Sequence, residues 1–323
     1  MTTAYLLGAG FSRTANAYFR PADEGICGPY PLGDELVGLC FDSSYNTSLG
    51  VEAAFQEAIG RSDNQPIARL VDAIQSADHC PGRRAADDPS SNLYQFLTDL
   101  PAETYLTFNY DGLVEQGLMR LGRWAPTDGF GVPAVTAYPS AIGRLSERSS
   151  AVVVHLHGSL YLYPREFDVS SPDSFGTEWL TIKDKVAFVF DPDTNVDLFL
   201  PFTKGEQGLL YSRPDRRFIA PVPNKASGLA GAYVRAAYDA ALKRLHDVEH
   251  LVAIGYRFGL TDRQSYDALL RVIAGVGGKL TVVAPDAAVT AAQLSFDYEC
   301  GIVPIPQTFD QWVSAGYPGV RAV

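Results

Sequence analysis

Cysteine pairs are missing from this chain. Its four cysteines, Cys27, Cys40, Cys80 and Cys300, are scattered, and no C-x-x-C occurs. That spacing excludes a zinc ribbon and a thioredoxin-type redox pair. Unpaired thiols suit a reducing compartment. Basic charge is scarce too: 26 Lys and Arg stand against 37 Asp and Glu, a net charge of −11. Phosphate backbones are held by clustered cations, so general nucleic-acid binding is not expected. Long apolar runs are also absent. No stretch approaches the length of a membrane span. The segment from Met1 to Gly8 has no basic region and too short an apolar run for a secretory signal. A cytoplasmic protein with no membrane partner is expected.

What the chain has is a core. Apolar residues make up 46% of 323 positions, enough for one large α/β domain spanning residues 1–323. Short β-prone runs stand at Ala4–Leu7, Glu103–Leu106, Ala151–Val154, Leu251–Ile254 and Leu280–Ala284. Helical stripes separate them, such as Tyr233, Ala237, Ala241 and Leu245, or Tyr266, Leu269, Leu270 and Ile273. Alternation of buried strands with helices predicts an α/β fold with a doubly wound, mostly parallel, Rossmann-like sheet. Three further stripes, at Ala54–Phe55–Ala58, Leu70–Val71–Ile74 and Leu93–Phe96–Leu97, predict a helical insertion over residues 43–100. Residues 160–225 carry many aromatics and no readable period. They are expected to form an insertion or a lid.

The chemistry sits at strand ends. In open α/β sheets, ligands bind outside the carboxyl ends of the strands. After the first strand comes Gly8-Ala9-Gly10-Phe11-Ser12. A glycine turn feeding a helix lets backbone amides approach a pyrophosphate. Only two of the three glycines of a dinucleotide fingerprint are present, and Arg13 follows. Ser12 can contact phosphate or cap the helix. After the second comes Thr107-Phe108-Asn109-Tyr110-Asp111. Here Asn109 can be a turn residue and Asp111 a helix cap, or both can serve a ligand. After Ala151–Val154 comes His155-Leu156-His157-Gly158-Ser159, and strand alternation sends His155 and His157 to one face. After Leu251–Ile254 comes Gly255-Tyr256-Arg257-Phe258-Gly259, with Asp262 beyond it.

This ordered set resembles the sirtuin-like superfamily, and most of all its prokaryotic branch that hydrolyses NAD in antiviral defence. Pro31 to Leu36 and Pro223-Asn224-Lys225 are similar to that branch as well. The resemblance implies NAD as substrate. It implies that Gly8, Ala9, Gly10, Phe11 and Ser12 hold the pyrophosphate, and that Thr107, Asn109 and Asp111 support the nicotinamide ribose. It makes His157 the base, and places Gly255, Tyr256 and Asp262 at the adenosine end. His155 is read as a structural neighbour.

The two cysteine pairs that deacylases of the superfamily carry after their catalytic histidine are not found here, so no metal is expected. Nicotinamide–ribose cleavage passes through an oxocarbenium-like state, which Asn109, Asp111 and His157 would stabilise and complete. The expected activity is an NAD glycohydrolase. The alternatives are a non-catalytic NAD or ADP-ribose binding subunit of a larger complex, and an NAD-dependent deacylase or ADP-ribosyltransferase. The resemblance also implies a homo-oligomer and a separate sensor or ATPase partner protein as the trigger. An uncontrolled NAD hydrolase would harm its host, so low basal activity is expected.

Overall fold

The computed structural model describes residues 2–17, 30–78, 88–125, 128–131, 134–136, 149–159, 162–166, 186–190, 221–223, 225 and 232–320. In chain order the strands are β1 (Thr3–Leu7), β2 (Thr104–Thr107), β3 (Ala134–Thr136), β4 (Val152–His155), β5 (Leu162–Glu166), β6 (Val186–Phe190), β7 (His250–Ile254), β8 (Lys279–Val283) and β9 (Gly301–Ile305). Six of them form one sheet in the order β4-β2-β1-β7-β8-β9, and every pairing is parallel. This is the doubly wound, Rossmann-like order, running outward in both directions from β1. A smaller sheet, β3-β6-β5, pairs β3 with β6 in parallel and β5 with β6 antiparallel. Of the 160–225 stretch expected as a lid, residues 160–161, 167–185, 191–220 and 224 lie outside the described residues.

Both faces of the main sheet are covered. That is why its inner strands read as continuous apolar runs rather than alternating ones. Tyr5, Leu7, Tyr105, Val153, Val252 and Ile254 point into one core. That core is closed by α1 (Ala9–Ala17), α2 (Gly33–Cys40), α3 (Val51–Gly60), α4 (Gln65–Asp78), α5 (Asn92–Asp99) and α6 (Leu113–Arg120). Ala4, Leu6, Leu106, Val154, Ala253 and Val282 point into the other. There α7 (Ala232–Leu245), α8 (Arg263–Gly275) and α9 (Ala287–Leu294) pack. A last helix, α10 (Phe309–Ser314), returns to the first face against α1 and α5. Period-two alternation of the strands thus divides the helices into two layers. No helix among the described residues is long and apolar enough to cross a membrane.

The chain leaves β1 toward one layer, through α1. It leaves β7 toward the other, through α8. Neighbouring strands whose exits diverge open a crevice at their carboxyl ends. The glycines serve this point. Gly10 N–H donates to the Gly255 carbonyl at 3.0 Å, and Gly8 N–H donates to the Ile254 carbonyl at 3.0 Å. A Cβ on Gly8 would lie 2.5 Å from the Gly255 oxygen. Gly255 has φ +64°, a conformation that favours glycine.

Candidate functional site

A cleft of about 870 Å³ runs along the carboxyl edge of the main sheet. At one end Asn109 and His157 line it, beyond β2 and β4. Ala9, Gly10 and Gly255 line its middle, and Asp286 and Gln307, beyond β8 and β9, its far end.

Asn109 is 5% exposed and follows β2 directly. Its Nδ2 donates to the Gly8 carbonyl at 2.9 Å and to Ser12 Oγ at 2.8 Å. Ser12 Oγ in turn donates to Asp111 Oδ2 at 2.8 Å. This fixes the amide. A backbone carbonyl only accepts, so the group facing Gly8 must be the NH2. Both amide hydrogens are thereby used inside the protein. The side-chain oxygen Oδ1 is the end left for the cleft. The amide therefore offers the cleft an acceptor alone.

The partners of Asn109 are settled by the same network. Ser12 is buried and does not line the cleft; its hydroxyl braces Asn109. Asp111 is buried too, receives Ser12 on one oxygen, and accepts the Leu113 amide on the other at 3.2 Å. It thus joins the start of α6 to the glycine turn. Thr107 Oγ1 accepts from the Asn109 amide at 3.0 Å. Phe11 is fully buried against Phe96 and Phe309. Of the expected site residues, Ala9, Gly10, Asn109, His157, Gly255, Tyr256 and Asp262 reach the cleft wall. Gly8, Phe11, Ser12, Thr107 and Asp111 stand behind it.

The two histidines do not share a surrounding, as alternation would require. His155 is the last residue of β4 and keeps the face of Val153. Its Nε2 meets Glu115 Oε1 on α6, and its Nδ1 meets the Asn109 carbonyl at 2.9 Å. The strand then ends in a turn, with Gly158 at φ +88°. That turn carries His157 to the other layer, where Nε2 lies 2.9 Å from Ser265 Oγ on α8 and the ring packs on Phe108. Burial pushes His157 down to about 4, with Asp262 opposing that shift and Lys225 adding to it. For His155 burial also opposes charge, but the Glu115 carboxylate outweighs it and raises the pKa.

Charge in the cleft centres on Lys225. It is 2% exposed. Its Nζ lies 2.6 Å from Asp262 Oδ1 and 3.6 Å from Glu52 Oε1, and donates to the Val222 carbonyl at 2.8 Å. The resemblance places Asp262 at the adenosine end. In the structure it stands by Lys225, and its field reaches His157 and Tyr110. Asp262 closes the short 3-10 turn Leu260–Asp262, just before α8. Arg13 and Arg257 also line the cleft. Arg13 makes a two-pronged pair with Glu35, at 2.7 and 2.9 Å, and donates to the Tyr30 carbonyl at 3.0 Å. Two amides of the glycine turn, those of Gly10 and Phe11, are already bonded to Gly255 and Gly8 carbonyls.

No protein-family model and no curated protein matches the chain. Solved structures do. One is a Sir2 homologue mutant in complex with ADP-ribose, at 15% identity and a TM-score of 0.42, over 100% of this chain and 95% of that one. Another comes from work on the mechanism and regulation of Sir2 enzymes, at 12% and 0.40, over 97% and 89%. A third is Sir2Tm bound to a propionylated peptide, at 13% and 0.37, over 98% and 94%. These neighbours are Sir2 enzymes. What the present site does must be read from its own residues.

Sequence reasoning missed Glu115 and Ser265. Glu115 lies in the first turn of α6. It also sits within Leu113–Leu118, a run that is buried throughout. A carboxylate inside such a run was the available signal. Ser265 had none, because its role depends on where the turn after β4 aims His157. Among the described residues no group of His, Cys, Asp and Glu is placed to hold a metal.

Proposed function

We propose that the chain is an NAD glycohydrolase that splits the nicotinamide–ribose bond to give nicotinamide and ADP-ribose. The carrying observation is the locked Asn109 amide, which presents only an oxygen acceptor beside His157 at one end of a long cleft. An oxygen acceptor suits a sugar carbon that gains positive charge.

The cleft accounts for the rest of a dinucleotide. The nicotinamide ribose lies at Asn109 and His157. The pyrophosphate crosses the glycine turn beside Arg13, which exchanges its Glu35 contact for phosphate. The adenosine lies beyond β8 and β9. There Asp286 Oδ1 and Gln307 Oε1 are buried acceptors with no hydrogen-bond partner among the described residues, and a ribose hydroxyl and an adenine amine supply the missing donors.

In the reaction the bond from C1′ to the pyridinium nitrogen breaks, and its electron pair leaves with neutral nicotinamide. Asn109 Oδ1 faces the cationic sugar or the incoming water. The water oxygen then bonds to C1′ and loses a proton to His157 Nδ1, while Nε2–H donates to Ser265. A base pushed down to about 4 is weak. It suffices here, because a water already bonded to a cationic carbon is strongly acidic. That weakness is also the observation favouring the second reading, a non-catalytic NAD or ADP-ribose binding subunit.

This reading takes residues 1–323 as one NAD-binding unit, with 43–100 as its helical insertion and 160–225 as lid or interface. Depletion of NAD in antiviral defence is the setting the resemblance implies. A homo-oligomer, or a sensor or ATPase partner, would then provide the trigger. The test is product analysis after incubation with NAD alone and with NAD plus an acyl-lysine peptide. Nicotinamide and ADP-ribose from NAD alone support the hydrolase. Turnover only with the peptide favours a deacylase. Saturable binding of ADP-ribose without turnover in either mixture favours the binding subunit.

A further inference from the structure

The His155 ring is 1% exposed and stands between two acceptors. On one side is the Asn109 backbone carbonyl, 2.9 Å from Nδ1. On the other is Glu115 Oε1, against Nε2. A carbonyl has only lone pairs, so Nδ1 must carry a hydrogen. The hydrogen between Nε2 and Glu115 is then shared by the imidazole and the carboxylate. Both side chains are almost fully buried, at 0% and 1%. An ion pair so placed gives little net stability against an apolar alternative, so its retention calls for another role.

Asn109 supplies that role. Residues 108–112 belong to no helix or strand. The Asn109 peptide is therefore held by side chains. Thr107 Oγ1 receives its N–H at 3.0 Å, and His155 donates to its carbonyl. Glu115 lies in the first turn of α6, where the helix amino end favours a carboxylate. Two buried supports thus converge on one residue. Asp111 through Ser12 holds the side-chain amide, and Glu115 through His155 holds the backbone carbonyl.

We infer that His155 and Glu115 are a positioning pair, which fixes the Asn109 carbonyl so that its side-chain oxygen stays aimed into the cleft. Neither touches substrate. The kinetic part of this inference rests on the glycohydrolase reading; the geometric part does not.

Two readouts keep them apart. The first is the side-chain amide signal of Asn109 in the full chain labelled on asparagine, assigned through Asn109→Ala. The second is nicotinamide release from NAD. His155→Phe is expected to shift or broaden the Asn109 signal and to lower kcat at least tenfold, with KM changed less than threefold. Glu115→Gln keeps a hydrogen-bonding partner for Nε2. It is expected to leave the signal in place and kcat within about threefold. Glu115→Ala should behave like His155→Phe. It serves as the decisive variant if His155→Phe does not fold, since equal behaviour of the Gln and Ala variants would overturn the inference. A folded His155→Phe variant with an unmoved Asn109 signal and unchanged kcat would also overturn it. A moved signal in a chain that never cleaves NAD would uphold the positioning pair and sink the glycohydrolase reading.

Discussion

The Gly255 carbonyl accepts the Gly10 amide at 3.0 Å, joining the turn after β7 to the turn after β1. No side chain fits at this junction. Gly8→Ala would set a methyl 2.5 Å from the Gly255 oxygen, between backbone segments that cannot yield. A loss of about 1–3 kcal/mol is expected, as for other overpacked sites. Gly255→Ala should cost more, because φ is +64° and its Cβ would meet the Phe11 nitrogen. A Cβ added to Gly38 in α2 would meet nothing within 4 Å. Gly38→Ala should therefore stabilise by about 0.5–1 kcal/mol. Urea unfolding of the three variants checks the ordering.

Asn109→Asp probes the amide assignment. The substitution replaces the NH2 group, and both of its donors, with one carboxylate oxygen facing the Gly8 carbonyl and Ser12. A buried acceptor set against acceptors is expected to cost about 2–4 kcal/mol. Asn109→Ala removes the group instead and should cost less. Thermal or urea unfolding would show the order. A more stable Asp variant than Ala variant would mean that the amide is turned the other way.

Stability should fall with acid through His157. In the folded chain its pKa is pushed down to about 4, against an ordinary value near ~6.5 in the unfolded chain. Between those values the unfolded chain binds a proton that the folded chain does not. The stability held by this group is thus complete above about pH 6.5 and is lost as pH drops toward 4. Its contribution to the slope reaches about 1.4 kcal/mol per pH unit. His250 is shifted in the same direction, mainly by burial. His157→Gln should flatten the pH dependence of unfolding free energy between pH 5 and 6.5. An unchanged slope would refute the shift.

The carboxyl edge of the sheet is legible in the sequence because each signal there is local. Gly8, Gly10 and Gly255 mark turns that only glycine can make, and Asn109 stands as a polar residue directly after a buried strand. The two-layer order follows from apolar strands alternating with helical stripes. What escapes the sequence depends on contacts across layers. Asn109 and His157 can be read as neighbours in one site, but not the proton network that makes Asn109 an acceptor only. His155 reads as structural beside its near neighbour, yet it holds Asn109. Its partner Glu115 hides among residues that pack a helix. Period-two alternation fails at His157 because the strand ends two residues earlier. The pairing of Asp262 with Lys225 likewise joins residues far apart in the chain, which no local pattern marks.

On the glycohydrolase reading, Asp286 should make the chain selective between nicotinamide dinucleotides. Its Oδ1 is buried without a partner among the described residues, while Oδ2 lies 3.2 Å from Arg257 Nε. A ribose hydroxyl can donate to this carboxylate, whereas a 2′-phosphate is repelled by it. NADP is expected to be cleaved at least about tenfold less efficiently than NAD, a difference of roughly 1.4 kcal/mol. Asp286→Asn should narrow the gap. Competition assays with the two nucleotides measure it, and equal kcat/KM values would remove Asp286 from the adenosine end.

The most direct measurement follows nicotinamide released from NAD by the purified chain, beside Asn109→Ala and His157→Ala variants shown to be folded by circular dichroism. The account predicts slow release by the unsubstituted chain and none from Asn109→Ala, with ADP-ribose still bound by both. Release at the same rate by the Asn109→Ala variant, or no release by any form despite saturable NAD binding, would contradict it.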